Sequence, residues 1–193
     1  MDSVDATALL APATRSLAPA PEVLRLPGGR AVLLRAITAD DATAEQAFVS
    51  ALSLDSRHKR FHVGLHHLTP DLLRLMTEVD QQRHVALVAQ EIMGSDEIAP
   101  PRLVADARYV LEDGQADEAE FAIAVADEWQ SLGLGRTLMA RLAAHAKRRG
   151  LKALFGDVLI QNRRMLALMR GAGAVARPHP DGPQLTRVTF RLD

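Results

Sequence analysis

The sequence predicts a mixed α/β fold, a mostly antiparallel sheet flanked by helices, on three observations. Three strand-like runs, 85–92, 103–111 and 120–125, follow one another through short connections; a glycine-punctuated turn then opens an amphipathic helix; and a buried-type strand follows that helix. Short connections imply antiparallel pairing, whereas strand, helix and strand in succession make a parallel crossover. A sheet that changes from hairpins to a crossover can open a crevice at the change.

Composition bounds the rest. The chain has 193 residues, 48% of them hydrophobic and 24% charged, which suits one domain with a real core. A formal charge of −1 gives no general reason to expect nucleic acid or an anionic membrane as a partner, so any anion site has to be local. No apolar run approaches the ~20 residues that span a bilayer. Asp2 and Asp5 stand where a secretion signal carries basic residues, and a cytoplasmic location is the expectation. The absence of cysteine excludes disulfides, thiolate metal sites and a cysteine-bound intermediate.

Residues 1–27 are rich in alanine and interrupted by Pro12, Pro19, Pro21 and Pro27, and read as a loose arm before a domain spanning 28–193. Within the domain, 31–37 is a strand, and Asp40 can cap a helix through Gln46, Phe48 and Leu52. The segment 53–80 is less regular: a loop rich in histidine and arginine precedes Thr69 and Pro70, an N-cap and first position for a helix carrying Leu72, Leu75 and Met76. Residues 94–101 and 112–119 separate the three central strands as hairpin turns. After the glycine turn, Leu134, Leu138, Leu142 and Ala146 fall on one helical face, and Lys147, Arg148, Arg149 and Gly150 close that helix. A strand at 153–160, a helix at 162–170 and a hairpin at 174–192 complete the chain, which has no internal repeat.

The turn at 129–137 carries the chemistry. Gly133 and Gly135, spaced by one residue beside a helix start, let backbone approach a ligand closely. The N–H groups of the first turn and the helix dipole favour an anion such as a pyrophosphate, with Arg136 adding charge. A tight strand-to-helix turn alone would use the same glycines, so the neighbourhood has to decide.

Gln130, Gly133 and Gly135 resemble the Arg/Gln-x-x-Gly-x-Gly/Ala turn of the GNAT superfamily of acyl-CoA-dependent N-acyltransferases. A second stretch, 162–173, is similar to the family's helix that begins at an asparagine, Asn162 here, although Ala174 replaces the aromatic residue expected after Gly173. The resemblance covers about 30–192 and implies a GNAT-like sheet splayed between its fourth and fifth strands. Over 53–61, 68–73 and 119–125 the chain is more narrowly similar to bacterial protein-lysine acetyltransferases, without the acyl-CoA-synthetase-like or cyclic-nucleotide-binding region those relatives often attach.

The resemblance implies acetyl-CoA as cosubstrate. Its pyrophosphate would lie on the turn formed by Gln130, Leu132, Gly133, Leu134, Gly135, Arg136 and Thr137. Its pantetheine arm would pair like an added strand near Ile123 and Val125, and Asn162 and Met165 would face that arm. Asparagine is also a good helix N-cap. Direct attack of an amine on the thioester, in a ternary complex, needs a base, because a lysine amine of pKa about 10.4 is mostly protonated near neutrality. Glu120 matches the glutamate of the protein-acetyltransferase motif and could act through one water. Strand alternation groups it with Ala122 and Ala124, opposite Phe121, Ile123 and Val125; Asp117 and Glu118 match less well.

Met169 stands where many GNAT enzymes place the tyrosine that protonates the leaving thiolate, so no such acid carries over. Tyr109, the only tyrosine, reads as strand packing. His62 and His66 have helical spacing beside His67, but no acidic residue completes a zinc motif, and no metal is expected. Arg57, Lys59 and Arg60 beside Phe61 could meet an acidic surface or nucleotide phosphates, or lie in a solvated loop; they do not extend into a nucleic-acid stripe. The acceptor is expected to be a protein lysine. A polyamine, an amino acid, an aminoglycoside, and a non-catalytic acyl-CoA sensor are the alternatives, and the C-terminal strands are where a homodimer would pair.

Overall fold

Alternation along the strands sorts their apolar residues onto two faces, and each face is covered by its own helices. The computed structural model describes residues 19–62, 65–93 and 100–192. Its strands are β1 (Glu22–Arg25), β2 (Ala31–Ala36), β3 (His84–Glu91), β4 (Leu103–Val110), β5 (Glu118–Val125), β6 (Ala153–Leu159), β7 (Val175–Pro178) and β8 (Leu185–Arg191). They form one sheet in the order β1-β2-β3-β4-β5-β6-β8-β7, antiparallel throughout except where β5 meets β6. The helices are α1 (Ala42–Ala51), α2 (Leu54–Phe61), α3 (Pro70–Thr77), α4 (Leu134–Arg148) and α5 (Arg163–Gly171).

On one face, Leu87, Tyr109, Phe121, Ile123 and Leu154 pack with Leu134, Leu138, Leu142 and Ala146 of α4. The four-residue spacing of those α4 positions is therefore the buried stripe, and fully burying a leucine such as Leu138 or Leu142 contributes about 2 kcal/mol. On the other face, Ala86, Val88 and Ala124 pack with Phe48 and Val49 of α1 and Met76 of α3. Tyr109 is a core residue whose hydroxyl meets His145 Nδ1 at 2.8 Å, and burial pushes its phenol up to about 12.

The sheet begins earlier than composition suggested. Glu22–Arg25, inside the expected arm, pair with β2 from Glu22↔Leu34 to Arg25↔Ala31. Pro27–Gly29 is the intervening turn, with Gly28 and Gly29 at φ 78° and 75°, so Pro27 marks a reversal and not the end of an arm. Arg141 of α4 fastens β1 through two bonds to Glu22 of 2.7 and 2.6 Å. Residues 1–18 of that arm and 94–99 of the first expected hairpin turn lie outside the described residues.

Two helix starts also differ. The cap before α1 comes from Thr38 and Asp41, which form a capping box around a short 3-10 turn at Ala39–Asp41; Asp40 does not serve. Asp41 instead of Asp40 wins because it also receives two 2.7 Å bonds from Arg35. The supposed loop before Thr69 contains α2. Ser53 Oγ caps it by accepting from Ser56 N at 3.2 Å, Lys59 pairs with Asp55 one turn back at 2.5 Å, and Asp127 accepts from Ser53 N, Ser53 Oγ and Ser56 Oγ. Polar caps and pairs hold this helix, so no apolar period announces it. His62 ends it in a left-handed conformation at φ 58°, which breaks the helical spacing to His66.

The parallel β5–β6 ladder runs only from Glu118↔Ala153 to Glu120↔Phe155. Beyond it, the strands splay, as the resemblance implied. Gly156, the next residue of β6, is where Phe121 comes closest: a Cβ at Gly156 would lie 2.9 and 3.0 Å from the Phe121 ring and 3.1 Å from its carbonyl oxygen. Only glycine accommodates that approach. Gly156→Ala is expected to lower unfolding free energy by about 1–3 kcal/mol through overpacking, measured by urea denaturation; an unchanged midpoint would remove Gly156 from the account of the splay.

Candidate functional site

The splay opens a cleft of about 270 Å³ lined by residues from β5, β6, α2 and the start of α5. Glu120, Ile123, Asn162 and Met165 all meet there, together with Lys59, Arg60, Phe61 and Asp157. Past Glu120, the β6-facing edge of β5 has no ladder partner among the described residues. Backbone groups of 121–125 on that edge are thus placed to accept an added extended segment.

The turn after β5 is built as a donor surface. Gly133 caps α4 at φ 87°, with no side-chain capping bond. Among the described residues, the N–H groups of Leu134, Gly135 and Arg136 make no backbone hydrogen bond, whereas Thr137 N is spent on Gly133 O at 3.1 Å. The expected set of donating amides therefore loses Thr137, whose Oγ1 also turns back to Gly133 O. Leu134 carries its side chain into the core, and Leu132 packs partly against it.

Gly135, unlike Gly133, does not have positive φ. It lies inside the first turn of α4, and a Cβ there would meet Leu168, Ile123 and Val125 at ordinary contact distances of 3.7–3.9 Å. Its smallness keeps the helix start close to β5 and α5; Gly133 alone supplies the left-handed residue of the pair. Gln130 ties the same elements: its Nε2 donates to Val125 O at 3.1 Å and to Ser56 Oγ at 3.2 Å, and its Oε1 accepts from Arg164 at 2.5 Å. Asn162 caps α5 by accepting from Met165 N at 3.2 Å while lining the cleft.

Glu120 is exposed at the cleft yet surrounded by protein. Burial pushes its carboxyl above the ordinary glutamate value, Asp157 and Glu112 add to that, and Arg187 and Arg60 pull against it. A carboxylate of raised affinity for protons suits proton acceptance. Asp157, which the sequence reading missed, lies on the same side of β6 as Phe155, the ladder partner of Glu120. Arg187 donates to it at 2.8 and 2.7 Å, and His179 Nε2 stands 2.9 Å away. These bonds with Arg187 hold Asp157 below the ordinary carboxylate range. A charged residue inside the apolar run 153–160 was the available signal.

The remaining sequence candidates are structural. Arg57 is buried and donates to Ser50 O and Leu52 O at 3.1 and 2.6 Å, closing the end of α1. Met169, at the position of the absent tyrosine, is 1% exposed in the core. His66 approaches Arg57, and His67 approaches Ser50. Among the described residues, no three histidine or carboxylate groups are placed to hold a metal, and no helix is long and apolar enough to cross a membrane.

Comparison with known proteins agrees with this geometry. A family model described as the acetyltransferase (GNAT) family matches residues 80–174. The chain is 34% identical to an acetyltransferase of Pseudomonas aeruginosa over 86% of each chain. It is 33% identical to the acetyltransferase Pat of Mycolicibacterium smegmatis over 64% of this chain, a match spanning only 35% of that protein. The GNAT domain of S. lividans PAT superposes with a TM-score of 0.78 at 27% identity, covering 90% of this chain and 98% of that domain.

The Asp157 node makes a prediction of its own. A carboxylate held low contributes stability above its unfolded pKa, and that contribution is lost as pH falls through the folded value. Arg187→Met is therefore expected to cost about 1 kcal/mol at neutral pH, a figure discounted for the 41% exposure of Arg187. The difference from wild type should close on acidification below the ordinary aspartate range, as followed by denaturation at a series of pH values.

Proposed function

The chain belongs to the GNAT acetyltransferase family, and on that footing we propose that it transfers an acetyl group from acetyl-CoA to the side-chain amine of a protein lysine, with Glu120 as the base. The family uses acetyl-CoA. Two features of this chain fit that molecule: the unspent N–H groups at the start of α4, and the unpaired edge of β5 beyond Glu120. Gly133, Leu134, Gly135 and Arg136 would hold the pyrophosphate, Ile123 and Val125 the pantetheine arm, and Asn162 and Met165 its wall. When bound, acetyl-CoA supplies an acyl thioester activated toward amines.

The observation that carries the reading is the meeting of Glu120 with Ile123, Asn162 and Met165 in one cleft. Glu120 accepts the ammonium proton, directly or through one water, and frees the lone pair for attack in a ternary complex. Met169 is buried and has no proton to give. A thiol of pKa about 8.5 can leave as the thiolate, so no dedicated acid is required. The resemblance of 53–61, 68–73 and 119–125 to bacterial protein-lysine acetyltransferases supports a protein lysine over a small amine. β7, exposed at all four residues, forms one sheet edge, and a homodimer would pair there.

Glu120→Gln is expected to lower kcat about 100-fold or more with acetyl-CoA affinity retained; normal turnover would sink the base assignment. In the wild type, kcat/KM should rise with pH through an ionisation above the ordinary glutamate range, as the direction of the Glu120 shift requires. Gly135→Glu, whose side chain would start against Leu168, Ile123 and Val125 at the head of α4, should abolish acetyl-CoA binding in calorimetry, with circular dichroism checking that the chain is still folded. Proteome-wide lysine-acetylation profiling tests the acceptor: turnover of polyamines, amino acids or aminoglycosides with no protein lysine modified would replace the lysine reading.

A further inference from the structure

Beneath the face that carries Glu120 lies a buried group of charges that the transfer itself does not use. Asp106 and Arg108 of β4 are 1% and 4% exposed, and Glu45 of α1 is fully buried. Their strand positions pair with Ala124 and Ala122, on the side of the sheet from which Glu120 projects. Arg108 is consumed: its Nε and NH2 donate to Asp106 at 2.5 to 3.2 Å, and its NH1 reaches Met76 O at 3.1 Å and His84 Nε2 at 3.2 Å. Glu45 comes no nearer than 3.8 Å to Arg108, and neither of its oxygens has a hydrogen-bond partner among the described residues. Burial and Asp106 push Glu45 well upward, toward its neutral form.

Arg60 is the remaining cation. It runs inward from α2, stacks over Phe61 at 4.9 Å, and keeps a buried Nε without a hydrogen-bond partner among the described residues. Arg60 faces Asp106 most strongly on its inner side; on the cleft side the anion it meets is Glu120, and both residues line the cleft. The other charges facing Glu120 are Asp157, Glu112 and Arg187; Asp157 and Arg187 satisfy each other. Those facing Arg60 are Asp106, Arg108, Glu45 and Glu120, with His62 and His84 beside it.

We propose that Arg60 is a positioning residue of the transfer, the counter-charge that holds the Glu120 carboxylate in the cleft as an acceptor of the amine's proton. The inference rests on the reading of Glu120 as base. A neighbouring opposite charge favours the ionised form, so loss of Arg60 should make Glu120 protonate more readily. A residue that merely packs against Phe61 would leave that ionisation where it is.

The test is the titration of the Glu120 carboxyl by 13C NMR in the full chain, with Glu120→Gln identifying its signal. Arg60→Gln should move the midpoint upward by about one pH unit, and Arg60→Lys, which keeps the charge, should restore most of it. Should Arg60→Gln fail to fold, Arg60→Met, which keeps an apolar stem on Phe61, carries the same measurement. With acetyl-CoA and poly-L-lysine as amine probe, the acid limb of kcat/KM should follow, about tenfold lower activity on that limb, while KM for acetyl-CoA stays put. An unmoved midpoint beside an inactive Glu120→Gln enzyme would overturn the role of Arg60 alone. Full turnover in Glu120→Gln would overturn the base reading, and the role of Arg60 in transfer with it.

Discussion

The site depends on a ladder that stops. β5 and β6 pair through Glu120↔Phe155 and then part where the Phe121 ring and carbonyl press against Gly156. A sheet normally closes this gap with backbone bonds, because unpaired strand groups are costly when buried. Here they are left at a cleft, where a ligand or water can meet them. Glu120 is the last residue of β5 paired with β6, so it is held by the ladder yet faces the opening. Rigidity on one side and access on the other come from one change in pairing.

The same interruption organises the neighbouring elements. α4 follows β5 across a short 3-10 turn at Asp127–Trp129, its first N–H groups are unspent, and Gly135 lets it sit close to Ile123, Val125 and Leu168. Gln130 bonds to β5, α2 and α5 at once, which couples the turn before α4 to both walls of the cleft. Asp127 anchors the start of α2 through Ser53 and Ser56, and that helix brings Arg60 and Phe61 to the wall. The donor surface and the carboxylate therefore share their supports.

Electrostatics in this region runs against simple stability. Desolvating Glu45, Asp106 and Arg108 costs more than a well-packed apolar core of equal volume often would. Asp106 stays ionised because Arg108 and Arg60 outweigh the burial that would raise it, and His84 is pushed down to about 4 by burial and by Arg108. On the opposite side of the cleft, Asp157 is satisfied by Arg187 and His179. Glu120 lies between these two charged groups without a hydrogen-bonded partner of its own among the described residues.

Strand periodicity and turn chemistry by themselves determined the three central strands, the buried stripe of α4 and the Thr69–Pro70 helix start, while the family came from the resemblance of the motifs at 130–135 and 162–173. These are local signals: side-chain alternation, four-residue spacing and the conformational needs of glycine and proline are written in neighbouring residues. The places of Glu120 on β5, Gly133 at the start of α4 and Asn162 at the start of α5 were legible for the same reason, each lying inside a short motif. Only the tertiary structure decided that Glu22–Arg25 join the sheet, since their partners lie in β2 and in Arg141 of α4. It also decided that a polar segment folds as α2, and that Asp157, Arg187 and Arg60 converge on Glu120. Charges distant in sequence acquire a common role only when folding removes the water between them, and no local pattern records that distance.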